Sequence, residues 1–155
     1  MVVTYDENGV QKTIEEVRYP IGGDIVIITP NMDNATINDT IKGEGKIVYF
    51  TAGTYTGDIQ ITDNNVLLFG DYDEENSEFT TVIEGNIKVM SKGVRIRGLL
   101  TNGDISLTGS DFSASYCEFV NGTMPGNGVK LIHNEFTGTA SVTGNNVILL
   151  DNIGL

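Results

Sequence analysis

Few residues in this sequence are of types that do chemistry. The densest group is the acidic run DYDEENSE, Asp71 to Glu78, in which Asp71, Asp73, Glu74 and Glu75 offer the hard oxygen ligands that Ca2+ takes. The run lacks the glycine and the closing bidentate Glu of an EF-hand loop, so a solvated surface loop is the plainer expectation. Arg95 and Arg97 alternate with Val94 and Ile96, which points both guanidinium groups outward. An exposed Arg beside carboxylates usually forms a surface ion pair. The single histidine, His133 in KLIHNEF, has no acidic neighbour on its own strand and reads as a surface or corner residue. Cys117 in SASYCEF reads as a small buried filler. A catalytic Cys needs a His partner, and aligning the repeats described below leaves His133 about one rung away.

The rest of the composition narrows the classes. At 155 residues the chain fits one domain large enough for a real core. A lone Cys makes no internal disulfide, and one Cys with one His argues against a conventional zinc or iron-sulfur site. The net charge of -12 argues against nucleic acid and anionic membranes as partners, because both attract basic surfaces. No apolar run approaches the roughly 18 residues of a membrane span, and MVVTYD at the start has no basic segment leading into an apolar one. A virion or cytoplasmic location is expected, or a secreted one if a leader has been removed.

The elements that would position these residues repeat. Five segments share a plan of short strand, three-residue turn and second strand: DIQIT-DNN-VLLFG, NIKVM-SKG-VRIRG, DISLT-GSD-FSASY, GTMP-GNG-VKLIH and ASVT-GNN-VILLD. Their turns end on Asn65, Gly93, Asp111, Gly128 and Asn146, types that accept left-handed backbone angles at low cost. The following residues, Val66, Val94, Phe112, Val129 and Val147, are spaced 28, 18, 17 and 18 apart, the first interval being lengthened by the acidic run. A third column is read at Ile83, Leu100, Phe119, Phe136 and Ile153. Three strands per repeat predict an all-β fold: a short parallel β-helix of about five three-sided coils, each of roughly 18 residues, occupying 46–155 behind an N-terminal arm and cap in 1–45. Alternation places Ile59, Ile61, Val66, Leu68, Ile87, Val89, Val94, Ile96, Ile105, Leu107, Val129, Leu131, Val147 and Leu149 inward. Within the arm, VVTY-DENG-VQKTI reads as a hairpin, with Thr13 and Glu16 as an alternative capping box, and DIVIIT as a strand.

The run KIVYFTAGTYTGDIQITDNNVLLFG, Lys46 to Gly70, preceded by ATINDTIKGEG, resembles the start of right-handed parallel β-helices of the pectin-lyase-like superfamily. There a short helix leads into a strand, an AGTY turn and the first full coil. The resemblance covers about residues 34 to 155 and implies a right-handed coil, with Asn34 or Asp33 capping a helix through Ile41 over the lower end of the stack. It also implies an alternative chemistry, that of a pectate-lyase-like or epimerase-like enzyme on an acidic polysaccharide with Ca2+. Arg97 would abstract the proton alpha to a uronate carboxylate, and Asp71 and Asp73 would complete the site with the cation. Arginine is normally too basic for that role, and the Gly-His-Gly and Arg-Ile-Lys motifs of polygalacturonase relatives are absent.

The outward faces carry the remaining expectations. The strands after the turns present Leu67, Phe69, Ile132, Ile148 and Leu150 outward, apolar at both ends of the face, so self-association through them is expected unless the arm, residues 1 to 30, covers them. The strands before the turns present a polar face without aromatic residues, a poor platform for a cell-surface glycan. These readings favour a non-catalytic structural or attachment module without a cofactor. It resembles bacteriophage virion proteins of the capsid-decoration, head-fibre or tail-spike type, assembled as a cyclic homo-oligomer, with a trimer favoured, or bound to another virion protein.

Overall fold

The short alternating strands and left-handed corners build a parallel β-solenoid. The computed structural model describes residues 25–155 in full, together with the backbone of strands β1 (Val3–Tyr5) and β2 (Gln11–Thr13). These two strands pair antiparallel, as the hairpin reading expects. Glu16 and most of the arm lie outside the described residues, and with them the capping box and the expectation that residues 1 to 30 cover a face.

Strand β3 (Ile25–Ile28) already belongs to the stack, on the N-terminal side of residue 45, because it pairs in parallel with β4 (Ile47–Phe50). Between them lies α1 (Asn34–Thr40), whose N-cap is Asp33: its carboxylate accepts the Thr36 N–H at 2.7 Å. That bond holds Asp33 below the usual carboxylate range. The first full coil follows with β5 (Gly53–Thr56), β6 (Ile59–Ile61) and β7 (Leu67–Gly70). The acidic run is a tight hairpin standing on that coil, β8 (Tyr72–Asp73) against β9 (Glu78–Phe79). Four more coils follow in the same order. They are β10 (Thr81–Glu84), β11 (Ile87–Val89) and β12 (Arg95–Arg97); β13 (Leu100–Thr101), β14 (Ile105–Leu107) and β15 (Ser113–Ser115); β16 (Glu118–Phe119), β17 (Gly122–Met124) and β18 (Lys130–Ile132); and β19 (Glu135–Phe136), β20 (Ala140–Val142) and β21 (Ile148–Leu150).

Three parallel sheets result. The first holds β5, β10, β13, β16 and β19; the second β6, β11, β14, β17 and β20; the third β3, β4, β7, β12, β15, β18 and β21. All five turn residues read from the sequence, Asn65, Gly93, Asp111, Gly128 and Asn146, are left-handed, with φ between 55° and 73°, and they form the corner between the second and third sheets. Nearby, Gly109 and Gly126 leave no room for a side chain: a Cβ there would fall within 2.0 Å of the carbonyl oxygen one rung below.

The inward assignments hold along the stack, with Ile59, Val66, Leu68, Ile87, Val94, Ile96, Ile105, Val129 and Leu131 all buried in one continuous core. Leu149 stacks in register on Leu131 yet stays 48 % exposed, because it lies on the uppermost coil. The third column holds at Ile83, Phe119 and Phe136 and slips by one residue at Leu100 and Ile153. Register pairs Ile83 with Thr101 and Phe119 with Phe136 inside, whereas Leu100, Glu118, Glu135 and Ile153 form the outward column. Leu100 is the apolar neighbour of the true core position, which is why hydrophobicity alone picked it.

Hydrogen bonds along the stack hold the coils together. At the corner between the first and second sheets, the Asn86 N–H donates to Asp58 Oδ1, Asp104 N–H to Asn86 Oδ1, Asn121 N–H to Asp104 Oδ1 and Thr139 N–H to Asn121 Oδ1, all within 3.2 Å. The helix closes the lower edge of this ladder. Asn34 and Asn38 donate to the Asp58 carbonyl, Asn38 Oδ1 accepts the Gln60 N–H, and Ile37 and Ile41 enter the core. A second ladder runs at the corner between the third and first sheets. Buried Asn134 accepts the Cys117 N–H at 3.0 Å and donates to the Ala114 carbonyl at 2.9 Å, and its own N–H reaches Asn152 Oδ1.

Two substitutions test this account by urea unfolding of the full chain. Asn134→Ala strands a buried N–H and a buried carbonyl and should cost roughly 2–6 kcal/mol, at about 1–3 kcal/mol for each unmet group. Thr101 Oγ1 is buried without a hydrogen-bond partner, so Thr101→Val should instead stabilise the protein by about 1 kcal/mol. A loss of stability for Thr101→Val would refute the slip at Leu100.

Candidate functional site

The chemistry-bearing residues gather at the corner between the third and first sheets, above the acidic hairpin. Successive rungs of this corner place Gly98, Tyr116, His133 and Asp151 at left-handed angles, φ from 51° to 70°. Glycine takes that angle freely, whereas Tyr and His carry a penalty of about 1–2 kcal/mol. Ring stacking offsets it. Phe79 packs on Tyr72, Tyr72 on Tyr116 at 5.5 Å and Tyr116 on His133 at 5.0 Å, each aromatic pair adding about 0.5–1.5 kcal/mol. The Arg97 guanidinium lies 4.8 Å from the Tyr116 ring centroid, and His133 Nδ1 stands 3.9 Å from the Asp151 carboxylate. The sequence reading missed this column, since neither Tyr nor His signals a left-handed corner.

The four carboxylates proposed as calcium ligands point to different partners. Asp71 accepts the Tyr49 hydroxyl at 2.6 Å, and burial, reinforced by that bond, pushes the Tyr49 pKa up to about 12. Asp73 folds back on its own turn, accepting from the Asn76 side chain and from the Asn76 and Glu75 N–H groups, which holds it below the usual carboxylate range. Glu74 pairs with Arg97, and Glu75 is exposed. Among the described residues no group of three or more acidic, His or Cys side chains is arranged around a common point for a metal. Arg97, the candidate base, therefore meets Glu74 and Tyr116 rather than Asp71 and Asp73.

Cys117 and His133 line the same cleft of about 340 Å3, together with Tyr72, Phe79, Glu118 and Glu135. The Cys117 thiol donates to the Ser115 carbonyl, and full burial pushes its pKa up to about 12, so it is a protonated filler rather than a nucleophile.

The expected apolar face divides in two. Leu67 and Phe69 are buried within the single chain, 2 % and 6 % exposed, in a cluster with Ile47 and Tyr49, whose ring stacks on Phe69 at 5.0 Å. They offer no exposed patch, and the outward side chains of β4, Ile47 and Tyr49, lie beside them in register. Ile132 is half-buried, while Ile148 and Leu150 are about half exposed on the last rung. On the polar face, Asp58, Asn86 and Asp104 are engaged in the ladder to the rung above. No protein-family model matches the chain, and neither a curated protein nor a solved structure matches it.

Glu118 and Glu135 stack directly on one another across β16 and β19. Burial, with the like charge of Glu135 added, raises the Glu118 pKa above its ordinary 4.5. A raised carboxylate favours its neutral form in the folded state, so its stability penalty is absent below pH 4.5 and grows as pH rises through the folded pKa. Glu118→Gln should therefore raise the thermal midpoint at pH 7 and leave it unchanged at pH 3. Equal shifts at both values would contradict the like-charge pairing.

Proposed function

We propose that the protein is a non-catalytic structural or attachment module that self-associates, a short right-handed β-helix of the pectin-lyase-like class serving in a bacteriophage virion. One observation carries this reading: the polar side chains along the coil serve the stack itself. Asp58, Asn86, Asp104 and Asn121 accept N–H groups of the next rung, Asn134 and Asn152 accept those of the preceding rung at another corner, and Arg97 is held by Glu74 and Tyr116. Such side chains give rigidity and a fixed rung height, which an attachment module needs. The exposed Ile148 and Leu150 add apolar surface available to another copy or another virion protein.

The test joins mass to activity on the purified full chain. The expected outcome is a solution mass that is a multiple of 16.7 kDa, with no unsaturated product from polyuronates whether calcium or a chelator is present. A 16.7 kDa species that forms unsaturated uronates with calcium, and loses this activity on Arg97→Ala, would replace the structural reading with a lyase.

A further inference from the structure

The two long margins of the third sheet carry opposite charge. At the corner with the second sheet, Lys92, Arg95 and Lys130 line a groove of about 580 Å3 that holds one carboxylate, Asp111. They are three of only nine basic residues in a chain of net charge -12. Ion pairs within 4.0 Å among the described residues engage Lys42, Lys88, Arg97 and His133, and none of these three. Arg95 and Lys130 lie in register on either side of Ser113, two rungs or about 10 Å apart.

The opposite ends of the same strands lead to the acidic margin. Glu75 projects from the β8–β9 hairpin, and Glu118 and Glu135 line the aromatic cleft, again with no ion pair to any of the three among the described residues. The full length of the strands Arg95–Arg97, Ser113–Ser115 and Lys130–Ile132 separates the two margins, so they cannot neutralise each other by contact within one chain. Their heights nevertheless agree. Glu118 follows the strand of Ser113 across one corner, and Glu135 follows that of Lys130.

We propose that copies join through the two margins of the third sheet, the Lys92, Arg95 and Lys130 groove of one chain receiving the Glu75, Glu118 and Glu135 margin of the next. This rests on the self-association proposed above and specifies its geometry. Two copies with parallel axes bring unlike margins together at equal height. The contact is heterologous, a different patch on each partner, so repetition closes a ring when the rotation permits. Charge complementarity sets register and partner choice, and it overcomes the mutual repulsion of chains carrying -12 each. A cation from the neighbour would also relieve the crowded Glu118 and Glu135 pair.

Charge reversal with rescue tests it on the full chain, by light scattering with circular dichroism to verify folding. The groove variant Lys92→Glu, Arg95→Glu, Lys130→Glu and the margin variant Glu75→Lys, Glu118→Lys, Glu135→Lys should each run as one 16.7 kDa chain. Mixed in equal amounts, the intact margin of the first meets the intact groove of the second and the two reversed patches match each other, so association should return. All six changes in one chain should restore the wild-type mass. A folded single variant that keeps the wild-type mass overturns the proposal. If that oligomer is instead dissociated by Ile148→Asp, self-association survives and only the charged contact fails. A monomeric wild type overturns both.

Discussion

Hydrogen bonds that run along the axis govern this molecule. A β-strand of three residues has little stability alone, and each coil buries its apolar side chains only when a neighbour lies above or below it. Backbone pairing supplies the regular part of that stacking. The Asp58, Asn86, Asp104 and Asn121 series, and the Asn134 and Asn152 pair, supply the part specific to this sequence, because they satisfy N–H groups at corners where the sheets break off. The constraint is strict: each ladder residue must fall at the same point of every coil. That fixes the period near 18 residues and excludes insertions everywhere except where a segment can leave the coil and return, as the β8–β9 hairpin does.

Legibility in the sequence follows from the same constraint. The corner between the second and third sheets was readable because its residues are Asn, Gly and Asp, types whose chemistry announces a left-handed angle. The other left-handed corner was not, since Tyr116 and His133 accept the angle in return for ring contacts made across coils. Inward positions on long alternating strands were clear. The two-residue strands of the first sheet offered too little alternation, and a buried Thr101 beside a more apolar Leu100 misplaced that one rung of a column otherwise read at Ile83, Phe119 and Phe136. Leu67 and Phe69 pointed outward as read, and the strand IVYF beside them was read too, but the alternation of a strand does not tell that its outward side chains are buried.

For the chemistry-bearing residues, type was legible and arrangement was not. The acidic run offered cation ligands only as the alternative to a plain surface loop, and its side chains diverge to Tyr49, to Asn76 and to Arg97. Lys92, Arg95 and Lys130 look unremarkable in the sequence because they are 3 to 38 positions apart. Only the stacking gathers them on one margin and leaves them without carboxylate partners.

The cap formed by α1 has a temporal consequence. Contacts between adjacent coils join residues about 18 positions apart, so no coil waits on a distant part of the chain. During synthesis the helix and the strands beside it emerge first and close the lower end, and each later coil then meets an edge already formed. The polarity of the stack thus matches the direction in which the polypeptide is made, and assembly can proceed as growth from a sealed base.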